Sequence, residues 1–336
     1  MSQQVGQDVS QIIKEAADRL RRAGVDTPEH DAKLLLAEAC GATLSDIDKA
    51  MLMGSPLPLK DGPASGARDA DIANAIDATD ESTETKDSGN AASPADALER
   101  FDAMVARRAK REPLQYIVGH APFRYLDLEV GPGVFIPRPE TETVVQAAID
   151  WIMREKIRPC RVVDLCAGSG AIGLSIVTEI SGSEVWAVEW SRTAIQWAER
   201  NMRRIFGKQS LAGYNYHLKR ADATDMTVLS QLDGTIDVVV TNPPYVPQDD
   251  VPAQPEVRDH DPQMALYGGS PDGALIPEQM ILRAARLLRS GGALVMEHDI
   301  SQGGRLVDFA RVNGFRDAKT GDDLTGRPRY LFAIKR

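Results

Sequence analysis

Val163-Asp164-Leu165-Cys166-Ala167-Gly168-Ser169-Gly170-Ala171-Ile172-Gly173 decides the fold class of this 336-residue chain. A short apolar run reads as a buried strand, the glycines as a tight turn, and the small aliphatic residues after them as the start of a helix. Glycine lets backbone approach a ligand closely, and a helix N-terminus offers unpaired N–H groups. Residues Gly168 to Gly173 satisfy the GxGxxG spacing of a dinucleotide-type strand–turn–helix. Working outward, apolar strand candidates recur at 161–165, 185–188, 237–241, 293–297 and 330–334, most of them separated by helical stretches at 171–180, 193–206 and 278–288. Strands alternating with helices predict an α/β fold: a mostly parallel sheet covered on both faces, with its ligand site beyond the strand C-termini.

Upstream the character changes. The first hundred residues contain no Phe, Trp or Tyr, so any core there is aliphatic. Ile13, Ala16, Ala17 and Leu20 recur at helical spacing before Gly24. Thr27-Pro28-Glu29 reads as a cap, a first-turn proline and an acid at the positive helix end. A third short helix is expected from about Ser45 to Met53, and Ser93-Pro94-Ala95-Asp96 opens a fourth. Between them, 54–92 is rich in Asp, Ser, Thr, Ala, Gly and Pro and poor in large aliphatics, a composition that cannot offset its ordering entropy. The expected organisation is a substrate-recognising helical bundle of residues 1–53 and 93–112, a flexible acidic linker at 54–92, a β-hairpin connector at 113–135 and the α/β domain at 136–336.

Asp and Glu outnumber Lys and Arg 49 to 39, a net charge of −10, which argues against broad binding to a phosphate backbone. Cys40, Cys160 and Cys166 form no CxxC pair and read as small apolar residues of a reducing cytosol. The polar start MSQQVGQDVS lacks the features of a signal peptide, and no apolar run approaches a membrane span. A cytoplasmic monomer without bound metal, membrane contact or direct nucleic-acid contact is expected.

The chemistry concentrates at the predicted strand ends. Glu189 ends the strand after the glycine turn, where a carboxylate can accept from both hydroxyls of a ribose. That alone suits a nicotinamide dinucleotide and S-adenosylmethionine equally. Asp164 favours the second, because a carboxylate ahead of the glycines suits a cationic amino group and repels a pyrophosphate. Asp222 can accept from an adenine amino group, and Trp190 can flank the adenine or simply cover the sheet. Thr241-Asn242-Pro243-Pro244-Tyr245 follows the apolar Val238–Val240. Asn242 offers a carbonyl acceptor, Pro243 a backbone carbonyl without a competing N–H, and Tyr245 a flat face for a planar group. Together these suit an NH₂ group held in line with a methyl donor.

Beyond that tetrapeptide, the chain resembles the HemK/PrmC-type peptide chain release factor N5-glutamine methyltransferases. The resemblance covers roughly residues 94–336 and, less clearly, the N-terminal helices. It rests on Glu112-Pro113-Leu114-Gln115-Tyr116-Ile117-Val118-Gly119, Ile136-Pro137-Arg138-Pro139-Glu140-Thr141-Glu142, Gly268-Gly269 with Asp272-Gly273, and Asp323-Leu324-Thr325-Gly326-Arg327. Asn-Pro-Pro-Tyr is shared with DNA adenine methyltransferases; the Ile-Pro-Arg-Pro-Glu-Thr-Glu segment is the more specific sign. Cys166-Ala167 stand where the family more often has Gly-Thr, Glu189 where Asp is common, and Ala223 where some members carry an aromatic residue.

The resemblance implies a Rossmann-like class I S-adenosylmethionine-dependent methyltransferase domain behind a small α-helical bundle and a β-hairpin. It implies methyl transfer to the glutamine of the Gly-Gly-Gln motif of release factors, leaving S-adenosylhomocysteine. The expected cofactor residues are Asp164, Cys166, Ala167, Gly168, Ser169, Gly170, Glu189, Trp190, Asp222, Ala223 and Asn242. Asn242, Pro243, Pro244 and Tyr245 are the expected catalytic group, and Arg138 and Glu142 join them in substrate binding. Arg138 is also open to a simple ion pair with Glu140 or Glu142. A ribosomal-protein glutamine and a DNA adenine N6 are the rival acceptors.

Overall fold

The computed structural model describes residues 8–60, 93–207 and 215–336, which divide into two compact units after His120. In the first, helices Val9–Arg22, Pro28–Cys40, Leu44–Met53, Pro94–Arg108 and Leu114–Val118 enclose an almost wholly aliphatic core joined by Phe101. Thr43 and Ser93 close reciprocal capping boxes with Asp46 and Asp96. The Thr27 side chain does not cap a backbone N–H as expected; its hydroxyl donates to Asp31 instead. Asp31 in turn holds Arg108 at 2.7 Å, both buried.

Two boundaries differ from the sequence reading. Leu57 and Leu59 pack on the bundle core, so the packed chain runs on to Lys60; the rest of the expected linker, 61–92, lies outside the described residues. Leu114–Val118 is helical and buries Ile117 and Val118 in the same core, so the bundle extends past residue 112. The hairpin is shorter than expected, with β1 at His120–Phe123 and β2 at Leu126–Glu129.

The second unit is built on a seven-stranded sheet. Its strands are β3 (Cys160–Leu165), β4 (Ser183–Glu189), β5 (Tyr216–Arg220), β6 (Ile236–Thr241), β7 (Leu288–Glu297), β8 (Phe315–Asp322) and β9 (Pro328–Lys335), in the order β5-β4-β3-β6-β7-β9-β8. The first five are parallel; β9 is antiparallel to both neighbours. Successive strand residues face opposite sides, as a period of two requires. Val162, Val238 and Val240 pack with helices Pro139–Arg154 and Ala171–Glu179, whereas Val163, Val239 and Leu294 pack with helices Leu275–Leu287 and Gly303–Val312. From β3 the chain winds outward through β4 and β5, then returns to place β6 on the other side. The strand order therefore reverses between β3 and β6, which opens a crevice at their carboxyl ends. Among the described residues, no helix is long and apolar enough to cross a membrane.

Candidate active site

That crevice holds a cavity of about 820 Å³. Its walls come from the carboxyl ends of four parallel strands: Cys166–Ser169 after β3, Glu189–Ser191 at β4, Asp222–Thr224 after β5, and Asn242 and Pro244 after β6. Phe135, Pro137 and Thr141, the segment Pro262–Ala265 and the helix start at Leu275–Ile276 complete it.

The glycine turn takes the shape its sequence requires. Gly168 has φ +57° and Gly170 φ +85°, and a Cβ at Gly168 would meet only open space, so the side facing the cavity is clear for a ligand. Cys166 adopts φ +63°. Glu189 ties the turn to β4: one carboxylate oxygen accepts the Gly168 N–H at 2.7 Å, the other the Ser191 N–H at 2.6 Å. Burial pushes its carboxyl above the usual range, while those N–H donors pull it down. Each oxygen retains lone-pair capacity for a ligand hydroxyl. Asp222 accepts from the Thr224 N–H and hydroxyl, forming an Asx-type turn that sets Ala223 in the wall. Trp190 lines the cavity and is 56% exposed. An open glycine turn with acidic groups at the next two strand ends fits an adenosine carrying a cationic amino acid.

Asn242 closes β6, and its Nδ2 donates to the Thr141 hydroxyl at 3.2 Å. The Thr141 hydroxyl donates to Glu297 Oε2 at 2.7 Å, and the Tyr245 hydroxyl donates to Glu297 Oε1 at 2.9 Å. Glu297 ends β7 and is 2% exposed, and burial drives its carboxyl upward. The Arg329 guanidinium lies beside Tyr245 and Glu297, and Asp323 pairs with it at 3.2 Å. Asp323 also accepts from Thr325 and from the Arg327 N–H, which accounts for that C-terminal motif.

The Gly268-Gly269…Asp272-Gly273 motif is a packing requirement. A Cβ on Gly273, where φ is +70°, would sit 2.2 Å from the Tyr245 carbonyl oxygen, and one on Gly268 1.8 Å from the Gly273 carbonyl oxygen. The buried Gln302 side chain then clamps both loops, donating to the Tyr245 carbonyl at 2.8 Å and the Asp272 carbonyl at 2.9 Å.

Six expected site residues, Asp164, Gly170, Arg138, Glu142, Pro243 and Tyr245, do not appear in the cavity wall. Asp164 does not line the cavity; it is fully buried beneath the turn, where one oxygen accepts the Gly173 N–H at 2.9 Å and burial lifts its carboxyl to about 8. Glu142 faces the hairpin, accepting the Arg124 N–H at 3.0 Å. The Tyr245 hydroxyl is held by Glu297, and Pro244 rather than Tyr245 stands in the wall. Pro243 is buried, and no hydrogen bond to its carbonyl is present among the described residues. Arg138 pairs with neither Glu140 nor Glu142 but with Asp261.

Thr141, Glu297 and the segment Asp261–Tyr267 were not anticipated as parts of the site. Thr141 stands within the Ile136–Glu142 motif, whose pattern alone assigns it no role. The signal for Glu297 was present: it closes an apolar strand, as Glu189 does.

A family model described as the PrmC N-terminal domain matches residues 11–55 and 88–119, and one described as conserved hypothetical protein 95 matches residues 115–260. The release factor glutamine methyltransferase of Bifidobacterium longum is 57% identical over 97% of this chain and 99% of its own. This chain belongs to the release factor glutamine methyltransferase family. That of Mycolicibacterium smegmatis is 38% identical over 96% of each chain. A 4-amino-L-phenylalanine/4-methylamino-L-phenylalanine methyltransferase of Streptomyces pristinaespiralis is 32% identical over 91% of this chain and 88% of its own. The chain is thus an S-adenosylmethionine-dependent methyltransferase with a Rossmann-like catalytic domain.

Proposed function

We propose that this methyltransferase modifies the side-chain amide nitrogen of the glutamine in the Gly-Gly-Gln motif of peptide chain release factors. The observation that carries the reading is Asn242, anchored through Nδ2 on Thr141 in the wall of a cavity whose other side is the glycine turn. When bound, S-adenosylmethionine supplies an electrophilic methyl group on a sulfonium.

The residues of this chain supply position and charge. An amide nitrogen is a poor nucleophile, since its lone pair is delocalised into the carbonyl. Asn242 Oδ1 and the unpartnered Pro243 carbonyl accept the two amide N–H bonds and turn the nitrogen toward the donor side. Such positioning supplies several kcal/mol of a barrier. The same acceptors stabilise positive charge as it builds on nitrogen, and one of the two N–H protons is then lost to solvent to leave the neutral N-methyl amide. Glu189 and Asp222 hold the adenosine, and the apolar wall of Phe135, Pro244 and Ile276 keeps water from the reacting atoms. The 32% identical relative is named for 4-amino-L-phenylalanine and 4-methylamino-L-phenylalanine, which also carry nitrogen on a planar group, and this supports a grip read by geometry more than by acceptor identity.

The test is mass spectrometry after incubation with labelled S-adenosylmethionine and, in parallel, intact release factor, ribosomes and DNA. One methyl on the Gly-Gly-Gln glutamine is expected, with no label on adenine. Label on a ribosomal protein or adenine with an unmodified release factor overturns the substrate while leaving amino-group methylation standing. The reading also takes the enzyme to act as a monomer.

A further inference from the structure

We infer that Glu297 and Thr141 are positioning residues that set the polarity of the Asn242 amide, so that an ionised Glu297 turns the Asn242 carbonyl oxygen toward the acceptor nitrogen. The inference rests on the proposed role of Asn242 as a hydrogen-bond acceptor and adds what enforces that role.

A side-chain amide has an acceptor end and a donor end of almost equal shape, so packing alone does not choose between them. Hydrogen-bond direction does. Ionised Glu297 has lone pairs and no proton, so both hydroxyls that reach it must donate: Thr141 at 2.7 Å and Tyr245 at 2.9 Å. Thr141 has then spent its only hydrogen and shows Asn242 a lone pair. Asn242 must answer with Nδ2, at 3.2 Å, and its carbonyl oxygen is left for the cavity.

Protonation reverses the chain. Arg329 lies against the Tyr245 hydroxyl as a donor, which holds that hydroxyl's own hydrogen on Glu297 Oε1. A proton added to Glu297 therefore goes to Oε2, facing Thr141. The Thr141 hydrogen is released toward Asn242, the amide turns over, and an NH₂ group meets the NH₂ of the substrate. Glu140 and Arg329 are the other charged groups that act on Glu297, the first favouring the proton and the second opposing it. Burial raises this carboxyl, while the Thr141 and Tyr245 bonds and the Arg329 charge pull it back toward ionisation.

Glu297→Gln imitates the protonated state at constant shape. The Gln oxygen must serve Tyr245, so its NH₂ faces Thr141 and inverts Asn242. The experiment compares full-length wild type, Glu297→Gln, Thr141→Val, Thr141→Ser, the Glu297→Gln/Thr141→Val double variant and Asn242→Ala. It uses intact release factor as acceptor, S-adenosylmethionine calorimetry and a pH profile of kcat.

Glu297→Gln should lower kcat by about a hundredfold, the scale of one misdirected site dipole, with S-adenosylmethionine affinity within about threefold of wild type. Thr141→Ser should keep far more turnover than Thr141→Val. The double variant should be no slower than Thr141→Val, since a severed relay cannot be severed again. The fall of kcat toward acid pH should persist in Thr141→Ser and vanish in Thr141→Val. Near-normal kcat in Glu297→Gln, or additive losses in the double variant, overturns the relay even when Asn242→Ala is inactive. An active Asn242→Ala overturns the relay and the acceptor role together. Should Glu297→Gln fail to fold, equal kcat in Thr141→Val and Thr141→Ser overturns the inference by itself.

Discussion

Arg138 Nη2 lies 2.5 Å from Asp261 Oδ2, joining two residues 123 positions apart. Their neighbours Pro137 and Pro262 both line the cavity, so the ion pair ties two of its walls. Asp261 is buried with its other oxygen unpartnered, and burial already pushes its carboxyl up against the pull of Arg138. Arg138→Ala strands that carboxylate. Stability should fall by roughly 2 kcal/mol, less than the ~3–5 kcal/mol of a fully buried pair because Arg138 is itself 31% exposed. Hydrogen exchange should rise first across 255–267. Unchanged exchange there would show that the wall is held by other contacts.

Glu189 faces two backbone donors, so its amide analogue cannot replace it. Glu189→Gln sets an NH₂ against the N–H of Gly168 or of Ser191, and loosens the glycine turn as well as the ribose contact. S-adenosylmethionine should bind about 10–100-fold more weakly, the equivalent of roughly 1–3 kcal/mol. Calorimetry decides the matter, and an unchanged dissociation constant rejects the role.

Gly273→Ala tests the loop that supports Tyr245. The added methyl meets the Tyr245 carbonyl at 2.2 Å in a backbone with φ +70°, so the loop must shift. Turnover should drop at least about tenfold while cofactor affinity changes by less than about threefold, because the loop adjoins the acceptor side. Equal loss of both would place the loop against the cofactor instead.

Asp164 gives the fold a pH dependence of calculable sign. A carboxyl near 4 in the unfolded chain rises to about 8 in the fold. Between those values the folded protein keeps a proton that the unfolded chain has lost, so Asp164 costs stability increasingly as pH rises toward 8 and no further above it. Thermal melts of ligand-free wild type and Asp164→Asn should diverge by more than about 3 °C between pH 5 and pH 8, with the variant relatively more stable at the higher pH. Parallel curves would mean that Asp164 stays ionised throughout.

Much of the molecule was legible beforehand because its strongest signals are local. An apolar strand followed by glycines and a helix can be read within a dozen residues, and Gly168, Glu189, Asp222 and Asn242 all stand in the cavity wall as their strand ends suggested. Strand β8 was missed because Phe315–Asp322 carries charge on most exposed positions and belongs to a sheet edge. The misplacements have one cause: sequence gives the position of a residue along an element, while hydrogen-bond partners choose where its side chain turns. Glu142 looked like a site acid until Arg124, from the hairpin, claimed it. Tyr245 reads as a stacking surface in the cavity, yet its hydroxyl is held by Glu297, 52 residues away, and it is absent from the cavity wall. Thr141 and Glu297 are 156 positions apart, and no local pattern reports their bond.

The reversal of strand order between β3 and β6 has a consequence for how such a protein can be recombined. On the proposed roles, donor-holding groups come from β3, β4 and β5 with the Asp222–Thr224 turn, and acceptor-gripping groups from β6 and β7, so the chain passes from one set to the other once, through residues 225–235. A chimera joined within that passage should inherit its methyl-donor site from the first parent and its acceptor grip from the second. Thr141 and Arg138 are the exceptions, for both precede β3 and reach across the join, Thr141 to Asn242 and Glu297 and Arg138 to Asp261. Transplanted halves will therefore work only in recipients that offer a hydroxyl and a guanidinium at those two points, which makes two side chains the compatibility marks between them.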